Sequence, residues 1–151
     1  PYLYSEYMTA ATRGTLYFRP LAFDFPENAQ AAEVEDQLML GDSLMIAPLM
    51  EKGKAERTVY LPEDMTRVTY DGEFRTEPLP CGRHTIHAAL NQVVFFIRKD
   101  RLLPIAAEAA KVEQVDLEHV TLLGTGSRYE QYLDNGQTKD YGEDHIRILT
   151  K

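Results

Sequence analysis

The chain has 151 residues, 44% of them apolar and 26% charged, with a formal net charge of −8. Such values describe one folded domain, or one domain with a small appendage, and exclude wholesale disorder. The charge argues against a nucleic-acid partner, which needs a lysine- and arginine-rich face, and no run approaches the ~20 consecutive apolar residues of a membrane span.

A single cysteine, Cys81, cannot form an internal disulfide and fits a reducing, cytoplasmic setting. Pro1 stands where an initiator methionine would, and a helical pattern begins at once, so the sequence reads as a piece of a longer protein.

In chain order, residues 1–13 predict a helix. Leu3, Tyr7 and Ala10 line one face with Tyr4, Met8 and Ala11 beside it, and Gly14 is the natural stop. The apolar arc is broad for a chain end. Either this is a core helix of the same domain, or its main partner lies elsewhere. The second reading predicts that Tyr4, Met8 and Ala11 form an exposed apolar patch through which the chain self-associates.

Residues 16–25 alternate as a strand through Leu16, Phe18, Leu21, Phe23 and Phe25, with Pro20 marking an edge or a bulge. Asn28 is a good N-cap for a second helix carrying Ala29, Ala32, Val34, Leu38 and Met39, which Gly41 would end. Leu44-Met45-Ile46-Ala47 then predicts a short buried strand closed by Pro48.

From there the pattern is β. Strands are predicted over 57–61, closed by Pro62, over 66–70, ending in an Asp71-Gly72 hairpin signal, over 85–88 after a loop at 79–83, over 92–98, and over 102–105 after a Lys99-Asp100 turn. Strands at about ten-residue intervals predict a sandwich or barrel-like sheet. Beyond an alanine- and glutamate-rich bridge at 106–111 come strands over 119–123 and 128–133, a turn at Asp134-Asn135-Gly136, and a closing segment with Tyr141 and residues 145–149.

The chemical candidates are sparse. His84 and His87 are three apart, and on a strand that spacing sends them to opposite faces, which does not suit one metal ion. Cys81 lies in a Pro-Cys-Gly loop without a neighbouring histidine. The stretch from Asp134 to Asp140 has oxygen ligands around a glycine but lacks the closing glutamate of a calcium loop, and Asn135-Gly136 reads better as a hairpin. Glu33, Glu35, Asp36, Asp42, Asp71 and Asp116 supply carboxylates beside turns or on helix faces, where solvation, capping or ion pairing is the ordinary role. Tyr60, Tyr70, Tyr129 and Tyr132 could stack on sugar, yet tyrosines of a β-domain mostly pack with a polar tip exposed.

The wording of residues 34–48, from Val34 through Gly41 to Pro48, closely resembles the segment joining the catalytic barrel to the C-terminal β-domain in glycoside hydrolase family 31, the α-glucosidase and α-xylosidase family. The resemblance continues in register through residues 1–5, 18–26, 59–62, 96–98 with 102–105, and 132–136. Val94 stands where the family commonly has proline, and Asp100 where it commonly has glycine.

The resemblance implies a mostly β C-terminal region of a bacterial α-glucosidase. Residues 1–14 would be the last helix of a (β/α)8 barrel, 15–106 a proximal β-sandwich, and 107–151 a short distal β-element. The parent enzyme would hydrolyse terminal non-reducing α-linked glucose with retention, through a covalent glycosyl-enzyme intermediate, with no metal or organic cofactor. Its aspartate nucleophile and aspartate acid/base lie upstream of the matched segment, so no catalytic, substrate-binding or metal residue is assigned here. The chain alone is then expected to be inactive, and its partner is its own upstream barrel. The rival readings are a freestanding carbohydrate-binding β-module, which needs an exposed aromatic platform, and a protein-interaction domain docked through its first helix.

Overall fold

The computed structural model describes residues 1–137, 139 and 143–151. Asp140 of the calcium-loop stretch and Tyr141 of the closing segment lie outside these. Among the described residues the chain is mostly β, in antiparallel sheets. It runs α1 (Tyr2–Arg13), β1 (Phe18–Pro20), α2 (Leu21–Asp24), α3 (Ala29–Ala32), β2 (Leu38–Leu40), β3 (Leu44–Ile46), β4 (Glu56–Leu61), β5 (Met65–Tyr70), β6 (Phe74–Leu79), β7 (Gly82–His87), β8 (Val93–Arg98), β9 (Leu102–Ala106), β10 (Val120–Gly124), β11 (Arg128–Tyr132) and β12 (Ile146–Thr150).

A six-stranded antiparallel sheet in the order β1-β2-β3-β8-β5-β6 is the central layer. Period-two alternation sends neighbouring residues to opposite faces. Met39, Met45, Met65 and Phe96 point to one face, where the β4–β7 pair covers them with Val59, Leu61 and Ile86. Leu40, Leu44, Val68 and Ile97 point to the other, under α1, β9 and the strands beyond it. Each face therefore has its own apolar core. β9 pairs with β10 and β11 with β12, and Pro20 lies on an edge strand, where its missing N–H costs nothing.

Most strands from β4 to β12 follow the sequence pattern. β6, not predicted as a strand, supplies the second arm of the Asp71-Gly72 hairpin, and β7 begins at Gly82 inside the expected 79–83 loop. Asp100 takes the left-handed conformation, φ 56°, in the β8–β9 turn, which aspartate tolerates better than most side chains.

Two expectations fail in the first third. Instead of one strand over 16–25, β1 has three residues and gives way to the helical turn α2. The Arg19 guanidinium accounts for this: it donates to the Leu16 and Gly41 carbonyls and to both oxygens of Asp24, at 2.8 and 3.0 Å, folding the chain back on itself. Instead of a helix running from Asn28 to Gly41, α3 has four residues, and Leu38–Leu40 is a strand.

Asn28 does cap α3, accepting from the Gln30 and Ala31 amides. Beyond that turn tertiary partners win over a weak helical period. Buried Gln37 engages both backbone groups of Tyr60, donating to its carbonyl at 2.7 Å and accepting from its N–H at 2.8 Å, while β2 is paired on both sides. Gly41, at φ 62°, therefore turns the β2–β3 hairpin and does not stop a helix. A Cβ there would lie 2.3 Å from the Glu6 side chain.

β11 and β12 are the two arms of a hairpin whose connection runs from Leu133 to His145, and Asn135-Gly136 lies within that connection. The dipeptide makes a local turn in that connection, with the Asp134 carboxylate accepting from the Gly136 N–H and the Asn135 side-chain oxygen from the Gln137 N–H.

Candidate docking face and polar clasp

α1 is oriented the opposite way from an ordinary amphipathic helix. Tyr2 and Ser5 are buried, whereas Leu3, Tyr4 and Tyr7 are 52%, 41% and 56% exposed and Ala11 is exposed with them. Of the expected patch, Tyr4 and Ala11 are exposed and Met8 is half-buried, while Tyr2, with its ring in the apolar core, and Ser5 and Glu6 face the protein. From Tyr7 the rings continue edge-to-face onto Tyr17 at 6.1 Å and from there onto Phe18 at 4.8 Å, and Phe18 and neighbouring Leu16 are again half exposed.

The inward side holds the helix by hydrogen bonds. The Tyr2 hydroxyl sits inside the β2–β3 turn, accepting from the Ser43 and Leu44 amides at 2.8 and 3.2 Å and donating to the Leu40 carbonyl at 2.8 Å. Ser5 Oγ accepts from the Tyr132 N–H at 2.9 Å and donates to the Pro1 carbonyl. Glu6 accepts from the Tyr129 hydroxyl at 2.9 Å and from the Asp42 N–H at 3.0 Å. Burial and the nearby Glu6 carboxylate push the Tyr2 and Tyr129 hydroxyls far above the usual phenol range, so both stay protonated donors. At the outer edge Tyr4 donates to Asp134, a bond that raises its pKa to about 12, and Arg13 pairs with Glu130.

The sequence candidates are dispersed. His84 and His87 occupy opposite faces of β7, one against the Pro80 carbonyl at 2.7 Å and the other against Glu56 at 3.0 Å. Cys81 is exposed, and its N–H donates to Asp64. Asp36 lies in the loop after α3, not mid-helix, and pairs with Arg57; Asp42 pairs with Arg19. Asp71 holds Gln92 and Arg75, which depress its pKa. Asp116 caps its own turn through the His119 and Glu118 amides and is depressed likewise. Glu33 and Glu35 are exposed.

Tyr60, Tyr129 and Tyr132 are buried, and Tyr70 is half-buried with its hydroxyl on Glu108, so three of the four sugar-stacking candidates have no free face. Nothing local in the sequence marks Tyr2, Ser5 and Glu6 as the inward side. On a helical wheel they read as the solvent face.

Residues 14–103 match the model of the glycosyl hydrolase family 31 C-terminal domain. The chain belongs to glycoside hydrolase family 31. Over its whole length this family 31 chain is 28% identical to alpha-glucosidase 2 of Bacillus thermoamyloliquefaciens, and over 99% of it 29% identical to the bovine lysosomal alpha-glucosidase. It spans about a fifth of those relatives, 21% and 18% of their lengths. Among solved structures, the family 31 dextranase of Flavobacterium johnsoniae complexed with glucose superposes on 97% of the chain with a TM-score of 0.73 and 25% identity, the match spanning 18% of that enzyme. α1 precedes the span matched by the family 31 domain model, whereas the similarity to the full-length relatives includes it.

Proposed function

We propose that this chain is the non-catalytic C-terminal β-region of a retaining α-glucosidase acting on terminal, non-reducing α-linked glucose. In this reading residues 1–14 are the last helix of the catalytic barrel, 15–106 the proximal β-domain and 107–151 a distal β-element. The observation that carries it is the inverted helix. A stripe of Leu3, Tyr4 and Tyr7 facing outward, with the polar side clasped by the β-domain, is the arrangement expected of a helix shared with a second apolar body. Its seat on the barrel would bury apolar surface at about 25 cal/mol per Å2, and the β-domain would brace the loops around the barrel's mouth.

Retaining glycosidases need two carboxyl groups about 5–5.5 Å apart across one sugar ring. Asp36, Asp42, Asp71 and Asp116 are instead committed to separate ion pairs and caps, which supports a supporting role.

The test is hydrolysis of a chromogenic α-glucoside by the chain alone and mixed with the separately produced upstream barrel. No turnover alone and turnover on mixing is the expected result; turnover by the purified chain itself overturns the reading. Tyr7→Glu is expected to reduce restored activity at least tenfold while leaving the chain's own melting temperature within a degree or two, because an exposed substitution is worth only about ±0.5 kcal/mol to this fold.

A further inference from the structure

Glu6 is a half-buried carboxylate that touches three elements at once. It starts on α1, reaches the β2–β3 turn at Asp42 and ends on β11 at Tyr129. The approach is close enough that only glycine fits opposite it at position 41. The side chain borders a polar cavity of about 360 Å3 between α1 and the β-strands.

The surrounding charges do not neutralise it. From β1, Arg19 donates to Asp24 and Asp42. From α1 and β11, Arg13 and Arg128 both pair with Glu130. The Asp42 carboxylate in the facing turn repels it, and Asp100 and Arg101 of the β8–β9 turn stand across the cavity with opposite signs. Both donors to Glu6 are neutral groups. A half-buried carboxylate whose direct donors are neutral carries a desolvation cost that they offset only in part.

We infer that Glu6 is a proton-operated clasp, closing α1 onto the β2–β3 turn and β11 most firmly when its carboxyl group carries a proton. The neutral acid keeps both contacts, since its carbonyl oxygen accepts from Asp42 N–H and its hydroxyl can donate to the Tyr129 oxygen. Burial raises the Glu6 pKa and Asp42 adds to it, while the Tyr129 and Asp42 bonds and Arg19 oppose. With the folded value above the unfolded one, the folded state holds the extra proton. Clasp stability is therefore full below the ordinary carboxyl range and falls as pH rises through the folded pKa. The inference concerns the chain by itself and stands whether or not a barrel docks on α1.

Two measurements on the full chain test it. In wild type, the Glu6 side-chain carboxyl carbon, followed by NMR, is expected to titrate above the ordinary glutamate range, and titration at the ordinary value overturns the inference. Hydrogen exchange of the α1 amides, corrected for intrinsic rates, is expected to lose about tenfold in protection for each unit by which the folded pKa exceeds the unfolded one. Glu6→Gln, which keeps the shape without the charge, should abolish that loss above the ordinary carboxyl range. Parallel wild-type and Glu6→Gln protection profiles would overturn it as well.

Discussion

Phe96→Ala is expected to cost about 3–5 kcal/mol, the largest loss from any single substitution considered for this chain. Phe96 lies in the middle of β8, paired with Met45 of β3 on one side and Arg67 of β5 on the other, and is 1% exposed. Its ring fills the core between the central sheet and the β4–β7 pair, alongside Met39, Met45, Leu61 and Met65. Strands fixed on both sides of β8 restrict collapse into the vacated space, which places the cost in the upper part of that range. A denaturant titration should show the midpoint falling steeply with an unchanged slope. Since such domains are stable by only about 5–15 kcal/mol, a weak host background could leave the variant unfolded at 37 °C.

Tyr2→Phe is the second. It removes one oxygen that serves three backbone groups, the Ser43 and Leu44 amides and the Leu40 carbonyl. Leu40 and Leu44 keep each other as ladder partners, while the Ser43 amide loses its side-chain acceptor. An unsatisfied buried donor costs about 1–3 kcal/mol, so a net loss of about 1–3 kcal/mol is expected. The effect should be local as well as global, with faster hydrogen exchange in α1 and in the β2–β3 turn before the rest of the sheet responds. Tyr4→Phe removes a hydroxyl from the exposed side of the same helix and should stay within about 0.5 kcal/mol. Equal losses from both would contradict the asymmetry of the helix.

How much of this was legible in the sequence depends on where the partners lie. β4, β5, β8 and β9 were readable because alternation and turn chemistry are local: Pro62, Asp71-Gly72 and Lys99-Asp100 punctuate them. The first third was not, because its conformation is set by distant groups. Arg19 winds α2 by reaching Asp24 and the Gly41 carbonyl, and Gln37 docks on the backbone of Tyr60. The helix at residues 2–13 was readable as a helix, and its outward apolar patch was one of two orientations the pattern allowed. Its inward side was invisible, since Tyr2, Ser5 and Glu6 find their partners between 36 and 127 positions away. The family, by contrast, was visible in short stretches of wording that no periodicity explains.

The clasp also has a consequence for the order in which the chain is made. Tyr2 and Glu6 can reach the β2–β3 turn early, but Ser5 bonds to Tyr132 across 127 residues and Glu6 to Tyr129 across 123, so a ribosome must synthesise almost the whole chain before the inward side of α1 is fully satisfied. Such long-range closure is slow to form. Throughout that interval the helix is held only by the β2–β3 turn, and its apolar stripe is open to any apolar body already folded. Vectorial translation would thus seat the helix outward first and close the β-strands over its polar side last. A chain released without an upstream neighbour keeps the stripe uncovered for its lifetime, so chaperone dependence should rise when this region is expressed by itself.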